Sequence, residues 1–175
     1  LVAWAGAPAG GAFAGFLANP LDGQTYLAKM ALGADGAWLF RMTFTSEPHA
    51  EAFLDFYYLF LGHVAGALGL SLPLTFHLAR IFNGLLFMAT AYTLIALTMP
   101  ALRRLAWLLL FFSSGLGWLV APLGRLTADL LMPEAIAFYS LYTNPHFPLA
   151  LAALCALFVL LLAPFDGAPH VRLGR

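Results

Sequence analysis

Asp22, Tyr26, Lys29 and Gly33 follow one another at spacings of four, three and four residues. This spacing places them on one face of a helix. A carboxylate at the edge of a membrane can act as a general base or bind a divalent cation, so Asp22 is the candidate catalytic residue. Tyr26 and Lys29 are candidate substrate-binding residues. The alternative is that Asp22 only satisfies free N–H groups in the first turn of the helix.

A second acidic group lies further along, in the segment S-E-P-H-A-E-A-F-L-D. Glu47 and His49 are candidate substrate-binding residues because they belong to the same polar stretch of the chain as Asp22. The alternative is again structural. Glu51 and Asp55 lie where the next helix is predicted to begin, and acids favour that end of a helix because of its dipole.

His77, Arg80, Asn83 and Gly84 recur every third or fourth residue at the start of a long apolar run. An arginine at that position is costly unless its guanidinium pairs with an anion or reaches the headgroups. We take His77 and Arg80 as candidate ligands of an external anion such as a lipid-linked phosphate. Snorkelling of Arg80 to the headgroups is the equally simple alternative.

Asn144 and His146 belong to an Asn-Pro-His-Phe turn just before the last apolar run. The turn combines residues typical of the membrane interface with groups that could contact a sugar or a phosphate. We therefore add Asn144 and His146 to the candidate substrate-binding residues. The preceding segment holds further polar groups: Arg125, Asp129, Glu134, Tyr139 and Tyr142.

The composition indicates the kind of protein in which these residues lie. Of the 175 residues, 62% are hydrophobic and only 9% are charged, and the mean hydropathy is +0.87. A soluble domain usually has about a quarter of its residues charged. The sequence therefore predicts an all-α integral membrane protein. Eight basic and eight acidic residues cancel, which argues against a nucleic-acid-binding surface, and the lone Cys155 excludes a disulfide framework.

Four apolar runs are predicted to cross the membrane, because a spanning helix needs roughly 20 mostly apolar residues. They are residues 1–18, 77–98, 105–121 and 147–163. A shorter helix is predicted over 20–32, with Asn19 as N-cap and Gly33 at its end. The chain starts without Met, and we expect it to be a fragment of a longer polytopic protein that begins within the first span.

The basic residues predict the orientation of these spans. Arg103 and Arg104 form a pair between two spans, and Lys/Arg clusters in short loops tend to remain in the cytoplasm. Residues 19–76 then form one external loop, so 50–69 must lie along the membrane surface. A stripe of polar or small residues supports this reading: Glu51, Asp55, Tyr58, Gly62, Gly66 and Gly69. The alternative is that 50–69 is itself a span.

The order of these parts resembles the N-terminal part of the GT-C membrane glycosyltransferases. The residues that carry the resemblance are Asp22 with a tyrosine four residues on, the helix end G-A-D-G-A-W, and the surface-helix end F-L-G-H-V-A-G-A-L-G-L. Arg80 at the next span and the cytoplasmic pair that follows it complete the pattern. The closest groups are the protein O-mannosyltransferases and the lipid A aminoarabinose transferases, and the resemblance covers roughly residues 5–163.

The resemblance implies transfer of a sugar from a polyprenyl-phosphate donor to an acceptor on the outer face of a bacterial inner membrane. Membrane lipid would surround the protein, and the site would face the outside or the periplasm. Asp22 would be the base and Arg80 would hold the leaving phosphate. The sequence departs from the family where Gly23 follows Asp22 and where Asn144 replaces a later acid. The alternatives are a non-enzymatic transporter or assembly subunit, and a degenerate GT-C relative.

Overall fold

In a computed structural model, the chain is described over residues 14–16, 20–42, 45–113, 115–132 and 136–163. The α-helices are α1 (Pro20–Ala34), α2 (Phe56–Leu68), α3 (Leu72–Thr98), α4 (Arg103–Phe112), α5 (Ala128–Leu131), α6 (Ala137–Thr143) and α7 (His146–Leu162). Two 3-10 turns, Gly117–Leu119 and Ala121–Leu123, follow α4. An isolated antiparallel bridge joins Phe40 to Ala52. The predicted all-α class is confirmed for these residues.

Several sequence predictions fall on other parts of the chain. Of the predicted span 1–18, only residues 14–16 are described, and they are not helical. The predicted N-cap Asn19 and the acidic residue Glu134 lie outside the described residues. The same holds for the basic residues at the end of the chain, so the first span and its orientation stay predictions.

One described helix, α3, is long and apolar enough to cross a membrane. Its 27 residues would extend about 40 Å at 1.5 Å per residue, against a hydrocarbon core of about 30 Å. It begins at Leu72, five residues before the predicted start of this span. The apolar helices α2 and α7 are shorter. The structure is thus compatible with membrane association, and a bundle of several spans stays a prediction.

The predicted span 105–121 is not one continuous helix. Helix α4 ends at Phe112, and the chain is extended at Ser113. Gly115 and Gly117 then approach the side chain of Asp129 so closely that a Cβ atom on either glycine would overlap it. The break in the helix therefore depends on a contact with a residue more than ten positions away.

Helix α2 also differs from its prediction, since it begins at Phe56 rather than near residue 50. Asp55 takes a left-handed backbone conformation (φ 53°), which ends the preceding segment and turns the chain into the helix. Glu51 and Asp55 therefore precede α2, so the stripe predicted over 50–69 does not lie on one helix. At 13 residues α2 would extend about 20 Å, which favours the surface reading over a span.

The chain divides into two compact units, residues 1–79 and 80–175, and the division falls within α3. In the first unit, α1 and α2 pack with their backbones in direct contact. A Cβ atom at Gly33 would overlap the carbonyl of Leu59, and one at Gly62 would overlap that of Met30. The predicted small-residue stripe is thus partly a helix-packing surface, which is the usual role of small residues between apolar helices.

Each unit has its own apolar core. In the first, the buried residues are Met30, Tyr58, Leu61 and Phe76. In the second they are Phe87, Ala91, Phe111 and Ala152. The rings of Phe87 and Phe111 meet edge to face at 5.1 Å, an arrangement that aromatic pairs favour. This contact joins α3 to α4.

Candidate functional site

Asp22 lies in the first turn of α1, as predicted, and its side chain is exposed. The first N–H groups of a helix and its dipole favour a carboxylate at this position. This accounts for the residue structurally. Its exposure leaves the carboxylate accessible to a small molecule.

Lys29 lies two turns further along the same face, and its amine forms an ion pair with the Asp55 carboxylate at 2.8 Å. The amine also lies 5.4 Å from the ring centres of Tyr26 and Phe40. The lysine side chain is only 14% exposed. Lys29 was predicted to bind substrate, but here its charge is neutralised within the unit.

Tyr26 stacks on Tyr58 of α2, with ring centres 4.3 Å apart and planes at 12°. Burial, and then the neighbouring Tyr26, Tyr57, Asp55 and Asp22, raise the pKa of Tyr58 above its ordinary value. The Tyr58 phenol therefore stays protonated across the physiological range. We call Asp22, Tyr26, Lys29, Asp55 and Tyr58 the α1–α2 polar cluster.

Glu47 and His49 lie in the exposed loop before α2. The His49 ring bridges this loop, since its Nδ1 is 2.8 Å from the Glu47 carbonyl and its Nε2 accepts the Met42 N–H at 3.0 Å. This pattern assigns the ring proton to Nδ1. Both ring nitrogens thus hold the loop. The structure does not place His49 among the members of the polar cluster.

His77 contributes to packing in the first unit. Its Nε2 lies 2.8 Å from the carbonyl oxygen of Ala14. The ring is in contact with Phe16 and Phe76, at centre distances of 5.5 and 5.4 Å. Nε2 of His77 is thus engaged by the backbone, and its role as an anion ligand stays a prediction.

In the second unit, Arg80 and Asn83 hold the segment between α6 and α7. Arg80 donates from Nη1 to the Tyr142 carbonyl, and its guanidinium lies 5.6 Å from the Tyr142 ring centre. Asn83 donates to the Pro145 carbonyl at 2.9 Å. The Nε atom of Arg80 is buried and has no hydrogen-bond partner among the described residues. The guanidinium also has N–H groups besides this buried one and the one that binds Tyr142.

Asn144 and His146 lie at the same break. Asn144 is only 4% exposed, between the two carbonyls that Arg80 and Asn83 bind. His146 begins α7 and packs against Phe147, with ring centres 4.1 Å apart. The structure thus brings Arg80, Asn144 and His146 to one corner of the second unit. Burial makes Asn144 a part of the corner rather than an open ligand.

Asp129 holds the loop after α4. Its carboxylate accepts hydrogen bonds from the Thr127 hydroxyl and, at 2.8 Å, from the Gly117 N–H. These bonds, that of Thr127 first, lower the pKa of Asp129 below its usual 3.8. Asp129 thus stabilises the break in the predicted span.

Asp22, Tyr26 and Lys29 do share one face, and the structure adds Asp55 and Tyr58 from α2 to them. Arg80, Asn144 and His146 belong to the other unit. A common cavity for Asp22, Arg80 and His146 therefore stays a prediction. Comparisons of the chain with family models, with curated proteins and with solved structures find no match.

The residues that the sequence reasoning undervalued are Asp55 and Tyr58. Lys29 is the only lysine in the chain, and it lies in an apolar helix, where a charge needs a partner. This requirement could have predicted one of the acids before α2 as the partner of Lys29. No three His, Cys, Asp or Glu residues lie close enough to hold a metal ion in the described part of the chain.

Proposed function

We propose that the chain is a membrane module of a GT-C type glycosyltransferase. It moves a sugar from a polyprenyl-phosphate donor to an acceptor hydroxyl on the outer face of the membrane. One observation carries the proposal: an exposed carboxylate, Asp22, lies on the same helical face as an aromatic pair and a neutralised lysine. The apolar helix α3, long enough to cross a membrane, supports the membrane setting.

Asp22 acts as the general base in this proposal. It takes the proton of the acceptor hydroxyl while the acceptor oxygen forms a bond to the anomeric carbon. The bond from that carbon to the phosphate oxygen breaks, and polyprenyl phosphate leaves with the electron pair. A positioned base of this kind typically contributes about 100- to 10,000-fold to the rate.

The neighbouring residues position the reactants. The Tyr26 ring, held against Tyr58, offers an aromatic surface beside the carboxylate. The Lys29–Asp55 ion pair joins α1 to the start of α2, which keeps the helical face fixed. In the second unit, the resemblance assigns the leaving phosphate to Arg80, whose guanidinium has further N–H groups besides the one that binds the Tyr142 carbonyl.

The test is an Asp22→Asn variant assayed with labelled polyprenyl-phosphate mannose and polyprenyl-phosphate aminoarabinose in membranes. Asparagine loses the charge that favours this first-turn position, which typically contributes about 0.3–1 kcal/mol, so folding should be little changed. Loss of sugar from the donor should slow about 100- to 10,000-fold. Asp35→Asn, at the exposed other end of α1, is the matched control and should retain full activity.

The second candidate is a non-enzymatic GT-C relative or another polytopic membrane protein. The observation that favours it is the engagement of predicted site residues in structural contacts: Lys29 with Asp55, His77 with Ala14, and Arg80 with Tyr142. If neither donor loses its sugar in the presence of the unaltered chain, or if Asp22→Asn is as active as Asp35→Asn, this reading stands and Asp22 is a helix cap.

A further inference from the structure

We propose that the groove between α3 and α4 binds one anionic phospholipid, with an acyl chain in the groove and the phosphate at Arg104. This site lies wholly in the second unit, and it is independent of the proposed transferase chemistry. The inference depends on the shape of the groove, on the charge at its mouth and on the residues that line it.

The groove has a volume of about 700 Å³ and is open on one side. Its walls are mainly apolar side chains of the two helices: Leu85, Met88, Ala89, Tyr92, Trp107 and Leu108. The Trp107 indole is fixed in the wall, because its N–H donates to the Met88 carbonyl at 2.9 Å. An apolar slot of this kind accommodates a hydrocarbon chain.

Arg104 lines this groove and also a second, smaller hollow of about 410 Å³. The second hollow is formed by residues 100–105, which include Arg103. Arg104 is therefore shared by the apolar groove and by a hollow that holds the second arginine, Arg103. A phospholipid has the same division, with its anionic phosphate next to its acyl chains.

The charges nearby favour an anion at this point. Arg103 and Arg104 occupy the first turn of α4, where the helix dipole is positive and basic side chains are unfavourable. Among the described residues 80–163, the single acid is Asp129, which already binds Thr127 and Gly117. A bound phosphate would neutralise the arginines and accept hydrogen bonds from them.

The orientation predicted from the sequence also favours a lipid over a second copy of the chain. It places Arg103 and Arg104 at the cytoplasmic face, where the leaflet is rich in anionic lipids. A second copy would bring the same two arginines close to its own. A phospholipid, by contrast, supplies both the apolar and the anionic part.

The experiment uses quenching of Trp107 by lipids brominated on the acyl chain. In the full chain, Trp4, Trp38 and Trp118 are replaced by Phe, and the protein is reconstituted in a series of liposomes with an increasing fraction of brominated lipid. We expect brominated phosphatidylglycerol to quench Trp107 more than brominated phosphatidylcholine does. The half-quenching fraction should differ about five-fold, as expected for one basic residue near an anionic surface (about 1 kcal/mol).

Three variants locate the site. Arg104→Gln should remove the preference for phosphatidylglycerol while leaving quenching by phosphatidylcholine unchanged. Arg125→Gln removes an exposed arginine of the same unit outside the groove and should keep the preference. Ala89→Phe, which fills the slot, should reduce quenching by both lipids.

Several results would overturn the proposal. Equal quenching of Trp107 by the two lipids would show that the groove does not select an anionic lipid. Equal losses in Arg104→Gln and Arg125→Gln would assign the preference to general surface charge. Protection of Trp107 that grows with the protein-to-lipid ratio would assign the groove to a second copy of the chain. A variant that retains only Trp118, which lies outside the groove, is the control. An equal preference at Trp118 would show that the preference is not confined to the groove.

Discussion

The helix contacts of the two units use polar residues differently. Where α1 and α2 meet in the first unit, polar side chains contact other side chains, as in the Lys29–Asp55 pair and the Tyr26–Tyr58 stack. Around α3 in the second unit, polar side chains bind the backbone instead: Asn83 donates to the Pro145 carbonyl, and Trp107 donates to the Met88 carbonyl. Both units are built from apolar helices, so composition does not explain the contrast.

The difference follows from how the helices are interrupted. In the second unit, α4, α6 and α7 end or begin at breaks, which leave carbonyl and N–H groups outside regular helix bonding. Unsatisfied backbone groups are costly in apolar surroundings, so the scarce polar side chains are used there. In the first unit, α1 and α2 meet through glycines, and the side chains of the α1–α2 polar cluster pair with one another beside that contact.

The largest effect on stability is expected at the glycine contact of the first unit. Gly33→Ala would place a methyl group against the backbone of Leu59, which cannot move as a flexible side chain could. We expect a loss of about 1–3 kcal/mol or more in the free energy of unfolding in mixed micelles. Gly66→Ala has room, since its nearest neighbour atom would be 3.7 Å away, and should be nearly neutral. Similar losses in the two variants would contradict this packing.

A somewhat smaller effect is expected at the break between α6 and α7. Asn83→Leu would remove the side-chain bond to the Pro145 carbonyl, which would keep only the long bond from the Leu149 N–H at 3.4 Å; we expect a cost of about 0.5–1.5 kcal/mol. Thr93→Val is the control, because its hydroxyl only adds a second bond to a carbonyl within α3. Denaturation in mixed micelles measures both. A neutral Asn83→Leu would show that the second unit does not depend on side chains to satisfy its backbone.

The Lys29–Asp55 ion pair of the first unit should contribute less to the free energy of unfolding than the two contacts above. Its two partners are partly exposed, so a double-mutant cycle of Lys29→Met and Asp55→Asn should give a coupling of about 0.2–1 kcal/mol. Lys29→Met and Asp55→Asn should each lower stability, whereas the effect of Asp22→Asn is expected on activity. A coupling of zero would show that the Lys29–Asp55 contact does not contribute to stability and would weaken the contrast between the units.

The smallest effect is expected in acid, at Asp129. Because its pKa is lowered in the folded chain, the carboxylate stabilises the loop above about pH 4. This contribution is lost as the pH falls through the folded pKa, below 3.8. Fluorescence of Trp118, which lies in the 3-10 turn Gly117–Leu119, reports on the loop. Asp129→Asn should remove the acid-dependent part of the signal; an unchanged acid transition in that variant would contradict the assignment.

The sequence by itself determined the helical class, the long apolar helix α3, and the common face of Asp22, Tyr26 and Lys29. Each of these follows from hydrophobicity or from the 3.6-residue period, which depend on residues close together in the chain. The start of α2 and the end of α4 were predicted less well. They depend on the left-handed Asp55 and on the contact of Asp129 with two glycines.

Only the tertiary structure decided what each polar residue touches. Lys29 pairs with Asp55, His77 reaches Ala14, and Asn83 reaches Pro145 across 62 positions of the chain. No local period encodes such partners, because they depend on how separate helices pack. The same residue types at the same spacing can therefore form a functional site, a helix cap or a structural contact. Which of these forms depends on how the helices pack.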